Sequence, residues 1–274
     1  DADLSPFWPR SAIPIGAEIG PHDVEGHHFT HWWTMFNPRQ MLVHTQLLKA
    51  IMTLKGYSWD SREYVLGSFQ QYLRNQNMFC FWNSGADKME PHYSRNSFHP
   101  KLTAIENSVF GTLGRGNWTS CAEGCVEGEE WVKTPWELVS LDQLARTHPE
   151  VAKECSGKSE KAFPGDPVMG GTVYQGSSTD INQIPDGSLD LVITDPPFGD
   201  LVQYSELADF FYVWLRLVLK QHYPNVYVGE YTPKTLEAVA NKFREPEDPN
   251  GFYQRLLTQC WRESHRTLKV GGIL

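Results

Sequence analysis

The chain is short of basic charge. Its 274 residues carry 24 Lys and Arg against 33 Asp and Glu, a formal net charge of −9. A polycationic coat for nucleic acid is excluded, although binding needs only a local basic patch. Cysteine is sparse and odd in number: Cys80, Cys121, Cys125, Cys155 and Cys260. That is no disulfide framework, and we expect reduced thiols in a cytoplasmic protein. Long apolar runs are missing. The longest, Phe210 to Leu219, is broken by Arg216 and falls short of the roughly 18 residues of a membrane span. No leader pattern is legible, and no internal repeat is found. What is present suits a folded domain. Hydrophobic residues make up 40% and charged residues 21%, which excludes disorder and coiled coil. Aromatics reach 13%, ten of them Trp, enough for a core and for flat stacking surfaces. The length fits one large domain or two modest ones.

Asp1 to Trp33 reads as irregular. Asn37 is placed to cap a helix, Pro38 suits its first position, and Met41, Leu42, Leu47, Leu48, Ile51 and Met52 recur at helical spacing up to Lys55-Gly56. A second helix is expected over Ser61 to Asn75. Short helices are expected near Pro100 to Val109 and Leu141 to Arg146. Lys153 to Pro167 is polar and rich in turn formers, so we place a linker at 156–171. After it the pattern alternates. Thr172-Val173-Tyr174 reads as a strand, Leu189 to Thr194 as another, and Ser205 as the cap of a buried helix to Lys220. Asn250 is read as the cap of a last helix that carries Leu268, with Gly271-Gly272 breaking it before a final strand. This is half of a parallel sheet. The expected organisation is a helical and loop region over 1–155, with DNA-side contacts, and a partial catalytic half over 172–274. The chain starts at Asp1 rather than Met and stops as a strand begins, so a piece of a longer protein is expected.

Asp195-Pro196-Pro197-Phe198 carries the chemistry. It follows an apolar strand, and ligands of open parallel sheets bind beyond the carboxyl ends of strands. The lone pair of an exocyclic amino group is delocalised into its ring. Acceptors on its two N–H groups favour a pyramidal, nucleophilic nitrogen. The Asp195 carboxylate suits one acceptor role and the Pro196 carbonyl the other, since proline fixes φ and brings no competing donor. Phe198 suits stacking on the base. A base reaches such a site only by leaving the duplex.

The run Asp190 to Phe198 resembles the catalytic motif of amino-group DNA methyltransferases. The continuation Tyr204 to Arg216 resembles one group of them: large adenine-specific DNA methylases with a zinc-ribbon insert, found in bacteria and archaea and linked to phage defence. Phe36-Asn37-Pro38-Arg39-Gln40, Thr232-Pro233-Lys234 and Leu268-Lys269-Val270-Gly271-Gly272 fit the same group. The resemblance implies an α/β fold. It would be a partial Rossmann-like class I S-adenosylmethionine-dependent sheet with a helical insert. It implies S-adenosylmethionine as cofactor, DNA as partner, and partner subunits of a defence or modification system. Asp195, Pro196, Pro197 and Phe198 would be catalytic, with Tyr204 and Asp209 supporting the substrate. Asn37, Pro38, Arg39, Gly176, Ser177 and Asp180 would meet the cofactor. The departures matter equally. The family's Phe-x-Gly-x-Gly cofactor loop is not found after a strand. Phe110 to Gly116 has the glycines but reads as a surface turn. The loop and the zinc ribbon would lie upstream of Asp1. Ser177 stands where an acid is usual, with Asp180 as a substitute.

Other clusters have plainer readings. His22, His27, His28 and His31 read as polar loop residues, and Cys121 and Cys125 as free thiols; no metal is expected. Arg74, Lys88, Arg95 and Lys101 interleave with Phe79, Phe81, Trp82, Tyr93 and Phe98. They suit either base stacking with backbone contact or a core with a solvated face. The expected function is transfer of a methyl group to adenine in DNA. The alternatives are the same chemistry on RNA and a non-catalytic binding or assembly module.

Overall fold

The structure is a computed structural model. It describes residues 2–94, 98, 105–111, 114–140, 142, 145, 146, 159–162 and 171–274, with the backbone alone at 137–139 and 159–162. Helix α1 (Pro38–Thr53) starts as expected. The Asn37 side chain accepts from Gln40 N while Gln40 returns to Asn37 N, a capping box with Pro38 at the first position. Gly56 leaves the helix at φ 85°, a conformation glycine adopts freely. Helix α2 (Trp59–Arg74) begins two residues before the expected Ser61, because Ser58 accepts from Ser61 N.

Helix α3 (Trp118–Lys133) was not expected. Asn117 caps it through Ser120 N at 2.8 Å. Only Cys121 of the helix is buried, and Gly124 and Gly128 interrupt its pattern, so no apolar stripe announced it. Helix α4 (Tyr204–Leu219) follows Gln203, not Ser205. The Ser205 hydroxyl is inside the helix and donates to Glu237. Helix α5 (Pro249–Thr267) is capped by Asp248 through Gly251 N, two residues before the expected Asn250.

The strands pair in twos. β1 (Phe81–Asn83) and β2 (Lys88–Glu90) form an antiparallel hairpin. β3 (Glu137–Ser140) pairs antiparallel with β4 (Ser159–Ala162). β4 therefore lies inside the stretch read as a linker, whose other residues up to 170 are outside the described set. β5 (Leu189–Leu191) pairs in parallel with β6 (Leu268–Ile273), with an irregular register. Leu268 opens that strand instead of closing α5. Gly271, at φ 86°, sits within the strand and not between helix and strand.

Thr172-Val173-Tyr174 is no strand. Among the described residues nothing pairs with it, and Val173 is 97% exposed. The helix expected at 100–109 lies partly outside the described residues, and 105–108 are not helical. That expected at 141–146 is described only at its helical positions 142, 145 and 146. The chain is thus a mixture of helices and small sheets, compatible with α/β. No described helix is long and apolar enough to cross a membrane.

The core is aromatic. Phe36, Phe69, Phe210 and Trp214 meet at centroid distances of 5.5–5.8 Å. α4 enters this core from the far side of the expected linker, so the sequence boundary does not separate two cores. Each such buried ring stabilises the fold by roughly 1.5–3 kcal/mol. The first turn of α4 is held by a charge. Glu206, 6% exposed, accepts from Ala17 N at 3.1 Å, Glu18 N at 2.8 Å and Asn241 at 2.9 Å. A side chain at Gly16 would collide with this carboxylate. Burial and the nearby Glu206 push the Glu18 carboxyl up.

His44 is fully buried. Its Nε2 lies 2.8 Å from the Gln76 carbonyl, which accepts only a donor, so Nδ1 accepts from the Tyr72 hydroxyl at 3.0 Å. Burial pulls its pKa down to about 4, against the Gln76 carbonyl. The folded ring is neutral, whereas the unfolded one takes a proton below about pH 6.5. Stability is therefore full above pH 6.5 and is lost as pH falls towards 4, by about 3 kcal/mol. Urea titrations between pH 7 and 4 should show this slope, and His44→Gln should flatten it whatever its effect on stability at pH 7.

Candidate active site

β5 ends at Leu191, and Val192 N extends the ladder by donating to Ile273 O at 2.9 Å. Asp195 to Phe198 therefore lie beyond the carboxyl end of the strand. Two bonds fasten this loop. Tyr253 on α5 donates its hydroxyl to Pro197 O at 2.7 Å. Ala240 N donates to Gly199 O at 3.0 Å, with Gly199 at φ 63°, which favours glycine there.

The loop borders a cleft of about 500 Å³. Of the residues singled out from sequence, it brings together Gly176, Ser177, Asp195, Pro196, Pro197 and Tyr204. Glu237, Ile181, Leu257, Cys260 and Trp261 are among the other residues that line it. One wall is apolar, from α5 and Ile181. The other carries backbone, hydroxyls and two carboxylates.

The two carboxylates differ. Glu237 is saturated: it accepts from Ser205 N at 2.8 Å and the Ser205 hydroxyl at 2.5 Å, and pairs with Arg244 at 2.6 Å. Asp195 is exposed and makes no hydrogen bond or ion pair with the described residues. The cleft therefore offers one open acceptor carboxylate with no cation beside it. At Asp195 it suits an N–H donor or a cationic group and disfavours an anionic group placed directly against that carboxylate.

Ser177 accepts from Thr179 N at 3.2 Å, and Asp180 N donates to Ser177 O at 3.1 Å, a tight turn. Arg266 anchors the next stretch. It donates to Ile181 O, Ile184 O and Asp186 while pairing with Glu263. Glu263 also accepts from Ile181 N, and these contacts hold its carboxyl down to about 2.

Several expected site residues are elsewhere. Phe198 is 64% exposed and does not line the cleft. Asp180 is exposed and does not line it, so it does not replace the acid missing at Ser177. Asp209 is 1% exposed. It is consumed by Lys234 at 2.7 Å and by Thr232 N and Oγ1 at 2.8 and 2.6 Å, so it holds the 232–234 segment against α4. Asn37, Pro38 and Arg39 are also away from the cleft. The chain's own Glu106 takes the anion position there, accepting from Asn37 and pairing with Arg39 at 2.8 Å.

The glycines of 110–116, in so far as they are described, form a turn. Gly116 at φ 75° packs on Asn75 and precedes the Asn117 cap. In the 74–101 stretch Arg95 and Lys101 lie outside the described residues. Phe79 and Phe98 are core, Lys88 pairs with Glu90, and Trp82 stays 51% exposed. Among the described residues no group of three His, Cys, Asp or Glu could hold a metal ion.

Glu237, Tyr253 and Trp261 were not foreseen as site residues. Tyr253, Leu257 and Trp261 recur every four residues, one helical face, but such a stripe reads as core until its partner loop is known. Comparison with protein-family models, curated proteins and solved structures finds no match in any of the three.

Tyr253→Phe removes only the donor to Pro197. A lost hydrogen bond of about 1 kcal/mol should raise local opening of 198–200 by roughly fivefold. Amide hydrogen exchange should read this increase in that segment, with α1 and α2 unchanged.

Proposed function

We propose that the cleft transfers a methyl group from S-adenosylmethionine to the exocyclic amino group of adenine in DNA. The observation that carries this is the open Asp195 carboxylate beside Pro196, in a cleft whose other carboxylate is already neutralised. Asp195 accepts one amino N–H and the Pro196 carbonyl the other. The nitrogen lone pair is thereby released from the ring. Tyr253 holds the following carbonyl, so the loop is set before the base arrives, and little reorganisation is left to pay at the reacting centre. Phe198 follows this loop and is exposed, so its ring is free to stack on an entering base.

S-adenosylmethionine would supply the methyl group as a sulfonium. The cleft volume lies in the range of small-molecule sites. Gly176 and Ser177 supply polar groups to it, Ile181, Leu257 and Trp261 an apolar wall, and Asp195 a charge of suitable sign. The parallel β5–β6 pair, connected through α4 and α5 and with the cleft beyond the end of β5, would belong to a Rossmann-like sheet. Such an enzyme would act in the cytoplasm, alone or with subunits of a defence or modification system. The same acceptors would serve an amino group of an RNA base.

A second reading has its own support. Glu106 occupies the α1 start where a cofactor carboxylate was expected. That favours a module that keeps a base pocket without completing the donor site.

Calorimetric titration with S-adenosylmethionine separates the two readings, with saturable binding for the enzyme and none for the module. In a radiolabel assay with DNA and RNA, Asp195→Ala should lower transfer at least about 100-fold while leaving DNA affinity within about twofold. Substantial residual transfer would reject the role of Asp195.

A further inference from the structure

A second aromatic surface lies away from the cleft. A cavity of about 370 Å³ is walled by Trp8, Trp33, Phe36, Met41 and Leu42. Trp8 and Trp33 meet at 5.8 Å with an interplanar angle of 67°. The two rings make a corner. Trp33 is 38% and Leu42 50% exposed, so the corner opens to solvent. The Arg10 guanidinium lies 5.8 Å from the Trp8 centroid and donates to Ser5. Among the described residues no carboxylate pairs with it. Pro38 also lines the cavity, and its neighbour Arg39 is already paired with Glu106.

We propose that this corner binds an unpaired base of a single-stranded nucleic acid, with Arg10 on the adjacent phosphate. A base of any sequence has a flat π face, and an exposed indole (Trp33) set at an angle to a half-buried one (Trp8) holds such a face while meeting its edge. A paired base hides both of its faces in the stack, so a duplex cannot use the corner without opening. Charge complementarity supports this site. The chain carries a net charge of −9 and repels phosphate generally. A cation with no acid partner among the described residues, already poised over an indole, is a place where a phosphate is accepted. An apolar small molecule would make no use of Arg10. The site does not depend on the transfer reaction proposed for the cleft.

Fluorescence anisotropy with labelled oligonucleotides of about 12 residues tests it, as single-stranded DNA, single-stranded RNA and duplex DNA. Both single strands should bind, and the duplex roughly tenfold more weakly. A preference between the sugars would tell which nucleic acid is the source. Trp33→Ala should weaken single-strand binding roughly tenfold, and Trp33→Phe should restore most of it. Leu42→Glu, on the exposed face of α1, should weaken it without removing a ring. Arg10→Ala should lower the salt slope by about 0.7. The proposal is overturned if no single strand binds, if the duplex binds as well, or if Trp33→Ala and Leu42→Glu bind normally. A loss confined to Asp195→Ala would also overturn it, because binding would then lie in the cleft.

Discussion

The Glu206 carboxylate is the contact on which the rest of the arrangement depends. A buried charge is costly unless donors satisfy it. Here two backbone N–H groups of the 16–18 loop and the Asn241 amide do so. The carboxylate also sits in the first turn of α4, where the helix dipole favours a negative charge. One side chain thus ties three stretches that are far apart in sequence. With α4 fixed at that end, Phe210 and Trp214 are directed into the aromatic core, and Tyr204 is left at the edge of the cleft. Gly16 is required for the same reason, since no side chain fits against that carboxylate.

The segment after α4 extends this logic. Asp209 pairs with Lys234, Glu237 with Arg244, and Glu263 with Arg266. The Asp209–Lys234 pair and the bonds from Ser205 to Glu237 hold the 232–244 segment against the first turns of α4, and the bonds of Arg266 and Glu263 to Ile181, Ile184 and Asp186 hold the 181–186 loop against α5. Each acid at these packed positions has a cation, so each contributes to position and none is left over as an acceptor. Asp195 breaks the pattern. It stands among neutralised acids without a partner among the described residues. Being exposed, Asp195 is hydrated and costs the fold little, so its carboxylate is left open to a ligand, which is what the function proposed for the cleft uses.

The parts of this arrangement that were legible in the sequence were local. Asn37, Pro38 and Gln40 specify the start of α1 by themselves, and the apolar run of α4 announces a buried helix. The Asp195 loop was legible because strand, acid and two prolines are contiguous. Caps were harder: Ser205 and Asn250 have the right chemistry, but Gln203 and Asp248 stand at the helix boundaries. Glu237 engages the Ser205 hydroxyl, a partner thirty-two residues away. The contacts of Asp209, Asn37 and Arg39 were hidden for the same reason. Their true partners, Lys234 and Glu106, are distant in sequence, and nothing in their spacing announces the contact. α3 escaped notice because a helix that buries so little leaves no periodic trace.

The cleft is coupled to the fold mainly through one helix. α5 contributes Tyr253 near its start, which fixes the Pro197 carbonyl. It contributes Leu257 and Trp261 in its middle, which form the apolar wall. Near its end Arg266 and Glu263 hold the stretch after the Gly176–Ser177 turn, and the chain passes directly into β6 beside β5. The acceptor loop and the Gly176–Ser177 side therefore share one rigid support. A rigid helix keeps these walls at a constant separation, as a reaction requiring two ligands in line would demand. Lys269 adds to the coupling by pairing with Asp190 across the ladder at 2.7 Å, but both groups are largely exposed, so this pair contributes little on its own. It is the continuous path from Tyr253 to β6, more than any surface pair, that keeps Asp195 opposite the wall it faces.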